Sequence, residues 1–301
     1  PSGGIYSGVG ITTSPSFSPS ISVVGTHTIT YTYVDVNGCI GTASQTIKVN
    51  ALPVVTIDTI PSVCINTSAF NLTQGLPGGG IYSGTGITAS PQFNPSSAGV
   101  GTQIITYTYT DANGCINSTS QTIKVNALPI VTFGTVSDVC IDASTFNLTQ
   151  GSPVGGIYSG TGVTTSPQFN PSIAGTGTHT ITYTITGGNG CINTATQTVK
   201  VNALPNVTFG PIPAVCIDGA LFNLTQGSPA GGTYTGTGIT MSPQFNPSIA
   251  GTGTHTITYS YTDINACNKS ATQTILVNAP NIELGSDREI CQGESIEIIP
   301  V

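Results

Sequence analysis

The sequence predicts an all-β protein made of tandem antiparallel β-sandwiches that follow one another as an extended rod. The main observation is a stretch of alternating residues, a turn and a cysteine, which returns every 76 residues. A period of this length with short strands inside it indicates a string of small domains, because solenoid coils repeat at shorter intervals. No segment shows helical periodicity. The four copies of the stretch are Thr26 to Cys39, Thr102 to Cys115, Thr178 to Cys191 and Thr254 to Cys267.

The third copy shows how the stretch is expected to fold. Threonines at 178, 180, 182 and 184 alternate with larger residues, so the two sets lie on opposite faces of a strand. β-branched Thr suits the face that meets water. In the second copy, Asn113 and Gly114 favour a chain reversal, and a second alternating strand follows over 120–125, which predicts a β-hairpin. The residues predicted to face the core in the third copy are His179, Ile181, Tyr183 and Ile185.

Joints with the sequence Val-Asn-Ala-Leu-Pro divide the chain into repeats. The proline ends the outgoing strand and restricts the preceding residue to extended geometry, so each joint is expected to be short and stiff. About seven short strands in roughly 75 residues, with 90–96 as a loop, indicate an immunoglobulin-like sandwich. The predicted domains are the C-terminal part of an immunoglobulin-like repeat (1–50), three complete repeats (51–126, 127–202 and 203–278) and the N-terminal strands of a divergent repeat (279–301).

The core of each sandwich is predicted to be aromatic without tryptophan, which the chain lacks. A domain of this size buries a modest fraction of its surface, so its stability is marginal unless disulfides support it. The residues assigned to the core are Tyr82, Tyr158 and Tyr234 in the third strand of each repeat, and Phe93, Phe169 and Phe245 nearby.

Composition excludes several classes of partner. The 301 residues contain five Lys and Arg against twelve Asp and Glu, which gives a net charge of −7. Without a basic patch, binding to nucleic acid or to anionic membrane is not expected. No apolar run approaches the length that spans a bilayer, so no membrane insertion is expected in this segment. The regularly spaced cysteines fit an oxidising, extracellular setting.

The histidines do not indicate a catalytic site. They occupy one position of the long strand, at His27, His179 and His255, where the second repeat has Gln103. A hydrogen-bonded strand residue is therefore expected rather than a base or a ligand. No Ser, His and Asp set recurs at a consistent spacing. We expect no catalytic residue, and the protein is predicted not to be an enzyme.

The acidic and glycine-rich turns do not indicate a metal or cofactor site either. The turn residue is aspartate in three repeats, at Asp35, Asp111 and Asp263, but Gly187 replaces it in the third. Calcium needs six to eight oxygens, so turn capping is expected instead. The glycines near Gly84 lack the strand-to-helix unit and the lysine of a phosphate loop. We expect no cofactor and no metal.

Three sequence patterns of the repeat carry a family resemblance. They are Gly-Gly-Ile-Tyr-Ser-Gly-Thr-Gly, Thr-Gly-Thr-His-Thr-Ile-Thr-Tyr and Asp-Ala-Asn-Gly-Cys, and Asn-Ala-Leu-Pro joints connect them. With these patterns the chain resembles the immunoglobulin-like or polycystic-kidney-disease-like repeats of giant bacterial surface adhesins. Those adhesins are of the gliding-motility-associated kind exported by type IX secretion. The resemblance covers essentially the whole chain, and it implies an adhesive role and an extracellular location at the cell surface.

The resemblance and the near-identical repeats favour a structural stalk or filament segment that projects adhesive or terminal domains from the cell. The alternative is a multivalent array that binds carbohydrate or a receptor. A third reading is a subunit of a filament assembled by strand complementation. The expected partners are neighbouring repeats, copies of the chain itself and a surface polysaccharide. Asp58-Thr59-Ile60 resembles the O-glycosylation acceptor of organisms that carry this family, which makes Thr59 a candidate for modification.

All eight cysteines are expected to be oxidised, and the sequence leaves three pairings open. Cys64 with Cys115 would lie within one domain, which is the usual arrangement in small sandwiches. Regular strands would place these two residues at opposite ends of the sandwich, although a bulge or a long hairpin would bring them together. Cys64 with Cys191, repeated as Cys140 with Cys267, would join neighbouring domains. Cys39 with Cys64 would cross the joint at 50–53. The cysteines are Cys39, Cys64, Cys115, Cys140, Cys191, Cys216, Cys267 and Cys291.

Overall fold

The computed structural model describes residues 1–280 together with residues 289, 290, 292 and 295. The described chain consists of β-strands and four short helices, arranged in two units. Residues 1–130 with 186–193 form the first unit, and 131–185 with the residues from 194 onward form the second. The predicted divergent repeat at 279–301, including Cys291, lies mostly outside the described residues. No described helix is long and apolar enough to cross a membrane.

Residues 1–50, called the first repeat below, form a three-stranded antiparallel sheet in the order β1-β4-β5 and a small hairpin of β2 with β3. The sheet is built on the long hairpin of β4 with β5, which pairs ten residues on each side. The elements are β1 (Ile5–Ser7), β2 (Ile11–Thr13), β3 (Ser16–Phe17), α1 (Pro19–Ser22), β4 (Gly25–Val34) and β5 (Ile40–Val49).

Residues 51–126, the second repeat, form a complete sandwich. Its elements are β6 (Thr56–Ile57), β7 (Val63–Cys64), β8 (Phe70–Asn71), β9 (Gly75–Leu76), β10 (Ile81–Gly84), β11 (Ile87–Ala89), β12 (Gln92–Phe93), α2 (Pro95–Ala98), β13 (Gly101–Thr110) and β14 (Ile116–Asn126). The first sheet has the order β10-β13-β14-β7, in which β7 runs parallel to β14. The opposing strands form the sheet β11-β12-β8 and the pair β6-β9.

Residues 127–202, the third repeat, follow the same plan, with a four-stranded sheet in the order β16-β22-β21-β19. Two-stranded pairs of β15 with β18 and of β17 with β20 complete the repeat. Its elements are β15 (Thr132–Phe133), β16 (Val139–Cys140), β17 (Phe146–Asn147), β18 (Gly151–Ser152), β19 (Ile157–Gly160), β20 (Gln168–Phe169), α3 (Pro171–Ala174), β21 (Gly177–Thr186) and β22 (Ile192–Asn202).

Residues 203–278, the fourth repeat, contain the sheet β24-β31-β30-β27, the sheet β25-β29-β28 and the pair β23-β26. The elements are β23 (Thr208–Phe209), β24 (Val215–Cys216), β25 (Phe222–Asn223), β26 (Gly227–Ser228), β27 (Thr233–Gly236), β28 (Ile239–Met241), β29 (Gln244–Phe245), α4 (Pro247–Ala250), β30 (Gly253–Thr262) and β31 (Asn268–Asn278). Tandem immunoglobulin-like β-sandwiches are thus the fold of the chain, as the sequence predicts.

Each complete repeat has its own core, built from residues of that repeat alone. In the third repeat, Ile181, Tyr183 and Ile185 are buried while the alternating threonines of β21 are not, so the predicted two-faced strand is confirmed. The rings of Tyr158 and Tyr183 lie 4.5 Å apart between centroids, and Phe169 is fully buried. The same aromatic positions are buried in the second and fourth repeats, which confirms the predicted aromatic core.

The described chain contains four one-turn helices, although no segment of the sequence shows helical periodicity. In the second repeat, the segment predicted as a loop, 90–96, contains β12 and the start of α2. The Asn94 side chain accepts a hydrogen bond from the backbone N–H of Ser96 at 3.1 Å, and Pro95 occupies the first helical turn. Asparagine and proline at these positions start a helix efficiently. A single turn is too short to show helical periodicity, so the pattern analysis missed it.

The turn of the fourth repeat leads to a first prediction. Ala266 has φ +63°, whereas its counterpart Gly114 in the second repeat has φ +81°. The left-handed conformation destabilises a residue that has a Cβ by about 1–2 kcal/mol. Glycine avoids this cost, but it also makes the unfolded chain more flexible, which offsets part of the gain in stability. We expect Ala266→Gly to stabilise the fourth repeat by roughly 0.5 kcal/mol in denaturant unfolding.

Gly114→Ala is the matched control for this prediction. It should destabilise the second repeat, because an alanine at position 114 would have to adopt the positive φ that strains Ala266 in the fourth repeat. If both substitutions shifted stability in the same direction, the conformational explanation would be wrong.

Candidate functional site at the repeat junctions

The two disulfides of the described chain connect consecutive repeats. In the first unit, Cys64 at the end of β7 is bonded to Cys191 in the hairpin turn between β21 and β22, with Cα atoms 5.7 Å apart. In the second unit, Cys140 at the end of β16 is bonded to Cys267 in the turn between β30 and β31, with Cα atoms 5.6 Å apart. Both bonds span 127 residues of sequence. Of the three pairings that the sequence leaves open, the structure contains the one between neighbouring repeats.

Strand length explains why the within-domain pairing is wrong. Cys64 lies beside Asn126, the last residue of β14, because β7 pairs in parallel with that end of the strand. Cys115 directly precedes Ile116, the first residue of β14. Eleven residues of extended strand separate these ends by about 35 Å, whereas a disulfide needs Cα atoms within about 7 Å. Cys64 therefore lies at the outgoing joint of its repeat, where only the hairpin of the next repeat is within reach.

Asparagine side chains bond the hairpins of the second and third repeats to the joint that precedes each of them. In the first unit, Asn193 donates from Nδ2 to the carbonyl of Pro129 at 2.9 Å, and Asn189 donates in the same way to the carbonyl of Ala127 at 2.9 Å. One joint earlier, Asn117 donates to the carbonyl of Pro53, also at 2.9 Å. The two joints of the first unit therefore share the hydrogen bond from asparagine to the proline carbonyl.

Three cysteines differ from the prediction that all eight are oxidised. Cys39, Cys115 and Cys216 are free thiols in this chain, and Cys291 lies outside the described residues. The reason is the 127-residue spacing of the observed bonds. At this spacing, none of the cysteines at positions 1–301 stands as a partner for Cys39, Cys115 or Cys216. Cys39 with Cys64, the third pairing, is also wrong for this chain, since Cys64 is bonded elsewhere.

The histidines form hydrogen bonds with backbone carbonyls, as the sequence predicts. His179 contacts the carbonyl of Gly175 through Nε2 at 2.9 Å, and His255 contacts the carbonyl of Gly251 in the same way. Since a carbonyl only accepts, the ring nitrogen is the donor. Gln103 replaces the ring in the second repeat and donates to the carbonyl of Ala98 at 3.1 Å. Each side chain fastens the end of a one-turn helix to the long strand.

The replacement of histidine by glutamine in the second repeat gives a second prediction. His255→Gln should change the free energy of unfolding by less than about 0.5 kcal/mol, because an amide can make the same bond. His255→Ala should cost about 1 kcal/mol, since the bond to Gly251 is lost. The measurement is denaturant unfolding of the full chain. Equal costs for the two variants would contradict a purely structural role for this position.

The aspartate side chain of each such turn accepts hydrogen bonds from the backbone of the same turn, as the sequence predicts. Asp111 accepts hydrogen bonds at Oδ1 from the backbone N–H of Asn113 and of Cys115, both at 2.8 Å. The bond from Cys115 is the main reason that the pKa of Asp111 lies below its ordinary value. In the third repeat, Asn189 accepts from Cys191 instead at 3.1 Å. Among the described residues, no group of three or more His, Cys, Asp or Glu side chains could hold a metal ion.

A cleft that recurs in each complete repeat is the other candidate site. In the second repeat it has a volume of about 550 Å³ and lies between the glycines at 78–80 and Tyr82. The hydroxyl of Tyr107 accepts from the backbone N–H of Gly80 at 2.7 Å and donates to the carbonyl of Pro77 at 2.5 Å. The hydroxyl of Tyr82 accepts from Gly75 at 2.6 Å, and burial raises its pKa. Both rings are buried, so the cleft offers a ligand neither an aromatic platform nor an unsatisfied tyrosine hydroxyl.

Close packing of glycine against tyrosine forms the floor of this cleft, and the sequence analysis did not identify it. A Cβ atom on Gly75 would lie 2.7 Å from the ring of Tyr107, and one on Gly80 would lie 2.5 Å from it. Only a hydrogen atom fits at these positions. The available signal was the glycine that lies two residues before Tyr82, and before its counterpart in every other repeat.

Comparisons with known proteins were made for the whole chain. No protein-family model matches it. Hyalin of Lytechinus variegatus is 28% identical over 230 residues, which covers 68% of this chain and 42% of that protein. Hyalin of Strongylocentrotus purpuratus is 29% identical over 214 residues, which covers 63% of this chain and 17% of that protein. The chain thus spans less than half the length of the curated relatives it matches.

Two solved structures are among those that match the chain. One is the Ca²⁺-stabilised adhesin that helps an Antarctic bacterium reach out and bind ice, with 14% identity, coverage of 84% of this chain and 82% of that chain, and a TM-score of 0.37. The other is the N-terminal eight immunoglobulin domains of Down Syndrome Cell Adhesion Molecule, with 12% identity, coverage of 85% and 40%, and a TM-score of 0.34. The disulfides are of the kind that persists in oxidising compartments, which indicates an extracellular protein.

Proposed function

We propose that the chain is a load-bearing segment of the stalk of a bacterial cell-surface adhesin, and that it has no enzymatic activity. The observation that carries this proposal is the pair of overlapping disulfides between consecutive repeats. Cys140 lies inside the sequence loop that Cys64 and Cys191 close, and Cys191 lies inside the loop that Cys140 and Cys267 close. The two bonds therefore interlock along the chain instead of protecting separate domains.

Interlocked loops limit how far the chain extends under tension. Without disulfides, the backbone from Cys64 to Cys267 spans 203 residue-to-residue steps. With both bonds, the shortest covalent path runs from Cys64 to Cys191, back along the backbone to Cys140, and across to Cys267. The backbone part of that path, from Cys140 to Cys191, spans 51 residue-to-residue steps. A stalk that attaches a cell to a surface benefits from this limit on its extended length, because the unfolding of one repeat then adds little to the length of the chain.

Single-molecule force spectroscopy tests the load-bearing role. At about 3.5 Å per extended residue, the oxidised chain should be about 530 Å shorter at full extension than the reduced chain. Cys191→Ser leaves only the bond between Cys140 and Cys267, and the difference should fall to about 440 Å. Cys216→Ser is the control, and it should behave as the unsubstituted chain. Equal contour lengths before and after reduction would contradict the proposal.

The surface location and the export route of the proposal rest on the sequence patterns of the repeat. Their resemblance to gliding-motility-associated adhesins supports a bacterial surface protein exported by type IX secretion. In such a protein the chain would project adhesive domains, with neighbouring repeats as its main partners and a surface polysaccharide as a further one. The similarity to hyalin and to an adhesin supports an adhesion-type protein. Thr59 is exposed, which suits its predicted modification, and that modification stays a prediction.

The recurring cleft does not favour the alternative of a multivalent binding array. Its tyrosine rings are buried, and their hydroxyls are bonded to backbone groups of the same repeat. Carbohydrate recognition needs free polar groups or an exposed ring, and this cleft offers neither among its tyrosines. The stalk is therefore the function that we propose.

A rod shape is the part of the proposal that scattering tests. A compact globule of 301 residues has a radius of gyration of about 19 Å. Repeats placed end to end, each about 35 to 40 Å long, should give about 40 Å instead. Small-angle X-ray scattering of the oxidised chain measures this value directly. A radius near that of the globule would overturn the rod.

A further inference from the structure

The long strand β14 has an open side along most of its length. On one side it pairs with β13 from Ile116 to Val125. On the other side β7 pairs with it only at Val125 and Asn126. No other strand among the described residues pairs with that side. The segment 116–124 is therefore a sheet edge, where the backbone groups that point away from β13 have no strand partner.

An edge of this kind is a template for pairing with another chain. A strand that is rich in β-branched residues, with few charges and no proline, pairs readily with a copy of itself. The segment 116–124 reads Ile-Asn-Ser-Thr-Ser-Gln-Thr-Ile-Lys, with one charge and no proline. Natural proteins commonly protect such an edge with lysines or proline. This chain has only five Lys and Arg in 301 residues, so few of its edges carry such a charge.

Side-chain amides occupy the open edge of β14 instead. Oε1 of Gln121 accepts a hydrogen bond from the backbone N–H of Thr122 at 2.9 Å. Oδ1 of Asn117 accepts from the backbone N–H of Ser118, also at 2.9 Å. Gln121 lies on the same face of β14 as the buried Ile123 and is itself half-buried. A polar residue that points inward beside an edge is one of the ways in which sheets oppose pairing with other chains.

The direction of these N–H groups follows from a bond that the same strand makes near its end. The carbonyl of Asn126 accepts from the backbone N–H of Ile65, the residue after β7, at 2.9 Å. Alternate residues of a strand direct their backbone groups to the same side, and Thr122 and Ser118 lie four and eight residues before Asn126. Their N–H groups therefore point to the open side, where a pairing strand would need them.

The glutamine bond recurs in the other complete repeats. Gln197 accepts from the backbone N–H of Thr198 at 2.9 Å, and Gln273 accepts from that of Thr274 at 3.0 Å. In the fourth repeat Lys269 stands at the position of Asn117. Because a lysine on an edge strand opposes pairing through its charge, the edge stays protected where the asparagine is replaced.

The opposite edge of the same sheet is closed by a serine. β10 is the edge strand there, and the backbone N–H of its Tyr82 donates to Oγ of Ser90 at 2.9 Å. Both edges of the larger sheet thus have N–H groups that are bonded to side chains of their own repeat. The serine bond recurs as Tyr6 with Ser14, Tyr158 with Ser166 and Tyr234 with Ser242.

We propose that these glutamine and serine side chains form an autoinhibitory contact that stops copies of the chain from pairing edge to edge. The partner that they exclude is a second copy, which would present the same threonine-rich edges. The net charge of −7 is spread over 301 residues, so charge repulsion between copies is weak and the hydrogen bonds at the edges become important. This inference concerns the edges of single repeats and does not depend on the load-bearing role.

Three glutamine substitutions in the full chain test the inference. They are made together, with free thiols alkylated so that no disulfide forms between copies. Methionine keeps the length of the side chain and removes the acceptor oxygen, so self-association in sedimentation should become at least about tenfold tighter. Amide hydrogen exchange in β14 and its counterparts should slow as the protein concentration rises, because these strands become paired. The substitutions are Gln121→Met, Gln197→Met and Gln273→Met.

The matched control changes three other glutamines, which lie on β12, β20 and β29. The side chain of Gln92 accepts from the hydroxyl of Thr88 instead of an edge N–H. This control adds the same three methionines and should stay as monomeric as the unsubstituted chain. Equal association of the two triple variants would overturn the proposal, and so would an edge variant that is folded by circular dichroism and remains monomeric. The control substitutions are Gln92→Met, Gln168→Met and Gln244→Met.

A serine series decides the question if the glutamine variant does not fold. These serines are exposed, so alanine removes the hydroxyl with little loss of packing. The series should associate more tightly than the unsubstituted chain, with slower amide exchange in β10 and its counterparts at high concentration. The substitutions are Ser90→Ala, Ser166→Ala and Ser242→Ala.

The control for the serine series uses exposed serines of the one-turn helices, whose hydroxyls bond to asparagine side chains. It should leave the chain monomeric. A folded edge series that associated no more than this control would contradict the proposal. The control substitutions are Ser96→Ala, Ser172→Ala and Ser248→Ala.

Discussion

The length of the hairpin strand constrains the rest of the molecule. β14 and its counterparts in the third and fourth repeats contain eleven residues, which separates the two ends of a repeat by about 35 Å. The cysteine at the hairpin turn and the cysteine at the short parallel strand therefore lie at opposite ends of one repeat. Since neither can reach the other, each can form a disulfide only across a joint. One covalent pattern then follows at every joint where both cysteines are present.

Each repeat achieves a stable core in about 75 residues through tyrosine rather than through a larger apolar interior. Tyr158 and Tyr183 pack ring against ring, and both hydroxyls are hydrogen-bonded to backbone groups. A buried hydroxyl without a partner would cost about 1–3 kcal/mol, so these bonds make the polar ends of the rings tolerable inside the core. Gly151 and Gly156 are needed because a Cβ at either would overlap the ring of Tyr183.

The sequence alone predicts the hairpins and the aromatic core, and the structure confirms both. It also predicts the repeat boundaries, which stay a hypothesis. Those features are encoded locally, in alternation along single strands and in the Asn-Gly turns. The pairing of Cys64 was not decidable from the sequence, because it depends on the parallel contact of Val63 with Val125, which are far apart in the chain. The one-turn helices and the bonds of the tyrosine hydroxyls were missed for related reasons. A single turn has no period, and a hydroxyl leaves no pattern in the sequence.

Differences among the repeats show which positions carry the structure. Gln103 replaces histidine, and Asn189 takes over the turn bond where Gly187 replaces aspartate. In both cases the partner is a backbone group, which several side chains can satisfy. Glycine and tyrosine do not vary where Gly80 meets Tyr107 or at the corresponding sites of the other repeats, because no other pair fits that contact. Variation among the repeats therefore follows the tolerance of the packing.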